Sequence, residues 1–271
     1  FFTISLCFLA LSSCVCAQTP LLDEDFESYT VGDYIGESST AWTTWSGAPG
    51  TDEDGQISDE QAYSGTQSLK IFGPSAGGPM DVYMPIGLET AYEVSYNIYV
   101  PCGASAYMNV QEQLIPGAPG FWAFDMVFSG NGTIQFSIDQ VDLAWGAYNS
   151  DEWTSVSLRM DPVNDLAEIY IGGVYLANVA FDGIIGGVNF FGYGDGTTAG
   201  LYYIDDVVVV ETDDVINGVS EVSDLDVAFG PNPANDYINI SSNVEDGIVR
   251  IMALNGQIVK EVYTSNLVSG Q

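Results

Sequence analysis

The clearest signal along the chain is alternation of apolar and polar positions. In Tyr92–Val100 the set Tyr92, Val94, Tyr96, Ile98 and Val100 falls on one face, while Glu93, Ser95 and Asn97 fall on the other. That two-residue period predicts a strand with one wet side. Thr154–Met160 repeats it, with Val156, Leu158 and Met160 inward and Ser155, Ser157 and Arg159 outward. Similar runs predict strands at Ser68–Phe72, Ala106–Glu112, Trp122–Phe128, Thr133–Ile138, Leu166–Ile171, Val174–Val179, Ile185–Phe191 and Tyr202–Val210. Gly172–Gly173 supplies the positive φ angles of a two-residue hairpin turn. Glycine-rich stretches at Gly73–Pro79, Pro116–Gly120 and Gly192–Gly200 read as loops.

The pattern changes after Thr212. Residues 213–226 are acidic, small and non-periodic, as in a linker. A second unit over 227–271 follows, with short strands at Tyr237–Ser241, Gly247–Ala253 and Ile258–Tyr263 and an Asn255–Gly256 turn before the last of them. The expected class is all-β: a large β-sandwich over 18–212 and a small one behind it.

The length of 271 residues suits one large all-β domain and one small one, and 46% apolar content is enough to bury both cores. Charge narrows the partners. Asp and Glu number 37 against Lys70, Arg159, Arg250 and Lys260, with no His, for a net charge of −33. Four scattered cations assemble no basic patch, so nucleic acid is not an expected partner. The acidity itself fits either surface solvation or divalent-cation binding.

The stretch Phe1–Val15 is apolar or small and too short to span a bilayer; Val15-Cys16-Ala17 before Gln18 suits signal-peptidase cleavage. Residues 1–17 therefore read as a signal peptide lacking its own Met and basic start, with lipidation at Cys14 as the competing reading. No transmembrane span is expected in the mature chain. Cys102 is the only cysteine beyond that leader, so no intramolecular disulfide is expected, and buried filler is its expected role.

The C-terminal segment resembles a known family. Pro231-Asn232-Pro233-Ala234-Asn235-Asp236-Tyr237-Ile238-Asn239-Ile240, then IMALNGQIV over Ile251–Val259 with the turn glycine Gly256, then NLVSG over Asn266–Gly270, resembles the type A C-terminal sorting domain of type IX secretion substrates in Bacteroidetes. The resemblance implies a small Ig-like sandwich, the type IX secretion machinery as partner, and passage through the periplasm to the cell surface or the medium. The family continues with further strands, so the tag is expected to be truncated at Gln271. The first unit resembles, more loosely, jelly-roll domains of the laminin-G, concanavalin and carbohydrate-binding-module type. That resemblance rests on Asp25-Phe26-Glu27-Ser28-Tyr29, Ser64-Gly65-Thr66-Gln67-Ser68-Leu69-Lys70, WTSVSL over Trp153–Leu158 and Tyr202-Tyr203-Ile204-Asp205-Asp206-Val207. It implies that the first and last strands meet, bringing Asp25 and Glu27 near Asp205 and Asp206.

Carboxylates so gathered need solvent, protons or a shared cation, and a structural calcium ion is the expected cofactor there. The acidic run Thr51–Glu60 lacks the spacing of a calcium loop and reads as a surface turn. Trp42, Trp45, Trp122, Trp145 and Tyr148 lie in or beside loop-like stretches and are candidates for stacking on sugar rings, whereas Trp153 opens a patterned strand and reads as core. Without His, neither Ser-His-Asp nor Cys-His chemistry is available. The expected function is a secreted, non-catalytic carbohydrate-binding or adhesion protein. A glycan-cleaving enzyme using two carboxyl groups and a purely structural surface protein are the alternatives.

Overall fold

The computed structural model describes residues 19–117, 119–138, 141–181 and 185–212 and, in the C-terminal part, the strands Val227–Gly230, Asn239–Ser242, Ile248–Met252 and Ile258–Tyr263; side chains of 142–145 and of those four strands lie outside the description. The chain divides into two compact units, Phe1–Ile216 and Asn217–Gln271.

The first unit opens with β1 (Leu22–Glu24), one short helix α1 (Ile35–Ser38), β2 (Thr43–Thr44) and β3 (Gln56–Ser58). β4 (Ser68–Gly73), β5 (Asp81–Pro85), β6 (Tyr92–Tyr99), β7 (Ala106–Gln111), β8 (Trp122–Ser129), β9 (Thr133–Ile138) and β10 (Val141–Ala147) follow. β11 (Trp153–Asp161), β12 (Leu166–Ile171), β13 (Val174–Ala180), β14 (Gly187–Phe191) and β15 (Gly200–Glu211) complete it. Eight strands form one antiparallel sheet in the order β13-β12-β11-β6-β15-β4-β3, with β1 also on β15; seven form the other, β10-β9-β8-β7-β14-β5-β2. The two sheets make a β-sandwich, as expected.

The inward positions are those that the alternation selects. Tyr92, Val94, Tyr96, Ile98, Val156, Leu158 and Met160 of the eight-stranded sheet are buried, as are Met108, Val110, Phe124, Met126, Val188 and Phe190 of the seven-stranded one. One apolar cluster contains both sets, and the ring of Tyr96 meets that of Phe190 edge-on at 5.3 Å. The Gly172–Gly173 turn has φ of +58° and +73° and joins β12 to β13 as predicted.

β15 organises one end of the fold. Along one edge it pairs with β6; on the other it pairs first with β4 and then, past a bulge at Asp205–Val208, with β1 through Leu22↔Val209 and Glu24↔Val207. The first and last strands of the unit therefore do meet. In the second unit, β16 (Val227–Gly230) pairs with β17 (Asn239–Ser242), and β18 (Ile248–Met252) pairs with β19 (Ile258–Tyr263), all antiparallel. The leader 1–17, the linker 213–226, Pro231, Asn232, Pro233, Ala234 and Gly256 lie outside the described residues. Among those described, no helix is long and apolar enough to cross a membrane.

Candidate functional site

The outward face of the seven-stranded sheet carries two cross-strand rows. One runs Asn189, Asn109, Asp125, Ser137 over β14, β7, β8 and β9; the other runs Asp81, Phe191, Tyr107, Val127, Gln135 from β5 to β9. These positions alternate with the core residues of the same strands, so the pleat itself aims them outward. With Gln111, Trp45, Gly120 and Trp122, residues of both rows line an open groove of about 210 Å³. It is small beside the ~300–1,000 Å³ of a pocket enclosing a whole small molecule. That size suits part of an extended ligand.

Buried side-chain amides make the floor: Asn109, Gln111 and Asn189 are each 3% exposed or less. Asn189 Nδ2 donates to Asp81 Oδ1 at 2.8 Å and to the Val82 carbonyl at 3.1 Å, and Asn109 Nδ2 donates to Asn189 Oδ1 at 3.1 Å. Gln111 can donate on to Asn109 Oδ1. In the opposite orientation its amide accepts from Trp122 Nε1 at 2.7 Å and donates to the Phe121 carbonyl at 3.3 Å. One amide cannot serve both ends at once. A hydroxyl group, which donates and accepts, can complete whichever contact Gln111 gives up.

Burial pushes the Asp81 carboxyl up to about 7; the hydrogen bond from Asn189 acts against that rise, and the charge of Glu53 adds to it. Burial, reinforced by Asp125, also raises the Tyr107 hydroxyl. The Tyr107 ring stacks on Tyr193 with centroids 5.6 Å apart and 23° between planes, and meets Phe191 edge-on at 6.2 Å. Ser137 Oγ donates to Asp125 Oδ1 at 2.6 Å.

The walls are Trp45, just after β2, and Trp122, the first residue of β8. Trp45 N–H donates to the Asp81 carbonyl at 2.8 Å. The turn after it is held by acids of the 51–60 stretch: Glu53 accepts from Ser46 N at 2.7 Å, and Asp54 accepts from Gly50 N at 2.9 Å and Gly36 N at 3.0 Å. Asp54 is fully buried, so that stretch is more than the surface turn its composition suggests. Trp122 is 46% exposed at the start of β8. A Cβ at Gly120 would stand 3.1 Å from the Trp45 ring and 3.6 Å from Trp122 Nε1, so glycine lets the two walls approach.

The other sugar-stacking candidates fare differently. Trp42 is 3% exposed and packs between Phe26 at 6.1 Å and Phe190 at 6.2 Å, which makes it core. Tyr148 is buried too, its ring against Phe128 at 5.4 Å and its hydroxyl donating to the Ser129 carbonyl at 2.8 Å. Trp145 belongs to β10, paired with Gln135, rather than to a loop; its side chain lies outside the description. Trp153, expected in the core, points outward from β11 and packs on Tyr63 at 5.8 Å and Tyr99 at 5.5 Å. Cys102 is exposed rather than buried.

The acids at the junction of β1 and β15 converge on a loop. Glu27 accepts from Thr66 N and Gln67 N, both at 2.7 Å; Asp205 accepts from Tyr63 N at 2.7 Å and Ser64 N at 3.2 Å; Asp206, at φ +48°, accepts from Ser64 Oγ at 2.7 Å. Asp25 turns instead to its own neighbour, accepting from Glu27 N at 3.1 Å. The donor N–H groups of Thr66 and Gln67 hold the Glu27 carboxyl below the usual range, whereas burial lifts Asp205 to about 6 against the hydrogen bonds it accepts. Backbone N–H groups and the hydroxyls of Ser64 and Thr66 thus engage oxygens of these carboxylates. Among the described residues no three His, Cys, Asp or Glu side chains are placed together to hold a metal ion.

Sequence reasoning missed Asp81, Tyr107, Asn109, Gln111, Asn189 and Phe191. The signal available was the run of neutral amides at outward positions, Asn109 and Gln111 two apart on β7, where a merely solvated face more often carries charge.

Comparison with curated proteins finds no match. Among solved structures, a sialidase is similar over 67% of this chain at 12% identity and a TM-score of 0.46, and the match spans 18% of that protein's own length. An alginate lyase, AlgAT5 of polysaccharide lyase family 7, is similar over 64% of this chain and 95% of its own, at 8% identity and a TM-score of 0.48. The carbohydrate-binding module CBM66 from Bacillus subtilis is similar over 64% and 96%, at 11% identity and a TM-score of 0.42. Residues 229–270 match the secretion system C-terminal sorting domain, so this part of the chain is the type IX export tag that its sequence resembles, marking the protein for the cell surface or the extracellular space.

Proposed function

We propose that the groove on the seven-stranded sheet binds a segment of a glycan chain, and that the protein is an exported, non-catalytic glycan-binding or adhesion protein. The observation that carries this reading is the pairing of the Trp45 and Trp122 walls with a floor of buried amides. Indole faces pack on the C–H faces of sugar rings, while Asn and Gln donate to and accept from hydroxyls. The amides are held in place by neighbouring strands, so they are ordered before any ligand arrives, which lowers the entropic cost of binding.

Glycan cleavage is the second reading, favoured by one observation: the raised Asp81 carboxyl can hold a proton near neutral pH, as a general acid must. Hydrolysis by a carboxyl pair needs a second such group across the scissile bond.

Affinity electrophoresis of the full chain through a panel of polysaccharides, with an assay of the same samples for new reducing ends, tests both. Retardation without reducing ends is expected. Reducing ends that vanish in Asp81→Asn would establish the enzyme, and no retardation on any polysaccharide would remove the glycan reading.

A further inference from the structure

Resting on that reading, we infer that the groove selects uncharged glycans and rejects those carrying carboxylates or sulfates. The chain has four cations, and none lies on the seven-stranded sheet. Lys70 on β4 and Arg159 on β11 belong to the other sheet, where they meet Glu60 at 2.6 Å and Glu168 at 3.2 Å; Arg250 and Lys260 lie on β18 and β19 of the second unit. Recognition of a carboxylate or sulfate in a half-buried site relies on Arg, Lys or a cluster of backbone N–H groups aimed at it. This floor offers side-chain amides already engaged in a chain and a carboxyl at Asp81.

The carboxyl that lines the groove is Asp81, and Asp125 follows one strand beyond Asn109. An anionic sugar seated there must give up water without gaining a counter-charge, next to Asp81 and with Glu53 behind it. With Asp81 ionised, above its pKa of about 7, two like charges about 6 Å apart at an effective dielectric of about 20 lose on the order of 100-fold in affinity. A hydroxyl or hydroxymethyl group at the same place loses nothing of the kind and matches the donor–acceptor ambivalence of Gln111. The general charge of −33 adds a longer-ranged repulsion that salt screens.

The test uses the full chain and polysaccharides paired so that charge is the difference: mannan with polymannuronate, methyl-esterified with de-esterified polygalacturonate, and hydroxyethylcellulose with carboxymethylcellulose. Dissociation constants are measured above about pH 8, where Asp81 has ionised, in low salt and in 1 M NaCl. For at least one pair the neutral member should bind and its charged partner should bind on the order of 100-fold more weakly in low salt. That ratio should shrink in Asp81→Asn more than high salt alone shrinks it. A charged member that binds as tightly as its neutral partner would overturn the charge inference and leave the glycan groove standing. No binding to either member of any pair would overturn both.

Discussion

The two sheets of the sandwich bury the same kind of face and present different ones. On the eight-stranded sheet the outward side chains compensate one another: Lys70 with Glu60, Arg159 with Glu168, and Ser157 Oγ donating to Glu93 at 2.7 Å. The rings of Trp153, Tyr99 and Tyr203 on it and of Tyr63 beside it meet one another at 54–69°. On the seven-stranded sheet the outward amides are buried beside two indoles, one amide has two competing partners, and one carboxyl is pushed up to about 7. The first arrangement is complete in itself. The second has contacts to give to something else, and that difference is the argument for placing function on one face.

The largest effect that would sharpen the contrast is on stability. Trp42→Ala should cost about 3–5 kcal/mol by emptying a core site, read as a lowered urea midpoint, whereas Trp45→Ala, three residues on, should cost less than half as much and act on binding. Next comes affinity itself. Trp122→Ala should weaken glycan binding by about 10- to 100-fold, as loss of a stacking anchor does, while Trp153→Ala on the opposite face should leave the dissociation constant unchanged. Equal losses from both would erase the distinction between the faces.

A smaller effect concerns the clamp of Tyr63–Gln67. Asp205→Ala should cost about 1–3 kcal/mol by leaving the N–H groups of Tyr63 and Ser64 without their acceptor, and Asp205→Asn, which keeps an accepting oxygen, should cost less. The pH dependence follows from Asp81 at about 7 and Asp205 at about 6. Each stays protonated in the native protein after the unfolded chain has ionised near pH 4, so the native state holds more protons across pH 4–7 and stability falls as pH rises through that window. The melting temperature should therefore drop between pH 5 and pH 8, and Asp81→Asn should flatten part of the slope. Smallest of all, melting curves in calcium and in chelator should coincide; a lowering of several degrees by chelator would restore a bound cation.

The interior of this fold was legible because alternation reports the pleat directly: β6, β7, β9, β11 and β12 stand within a residue or two of where the pattern puts them. β1, β2 and β3 are two or three residues long, too short to show a period, and β5 is a short apolar run between Pro79 and Pro85 that gives no alternation. The groove was less legible for a different reason. Asn109 and Asn189 are neighbours only because β7 and β14 pair in a register that joins positions 80 apart in sequence. Trp42 and Trp45 looked alike along the chain; the two residues of β2 between them turn one into the core and the other onto the groove. Of the acids near the two ends of the first unit, Asp25 accepts from Glu27 N, whereas Glu27, Asp205 and Asp206 accept from N–H and O–H groups of the 63–67 loop, which a search for charged partners does not see.

The central claim is that one face, walled by Trp45 and Trp122, is where a glycan binds. The most direct measurement follows the indole N–H signals of the nitrogen-15-labelled full chain during titration with a neutral oligosaccharide from the polysaccharide that binds best. The signals of Trp45 and Trp122 should move together along one binding curve while those of Trp42 and Trp153 stay in place. Movement of the Trp153 signal with Trp45 and Trp122 unmoved would place the binding face on the other sheet and contradict the central claim.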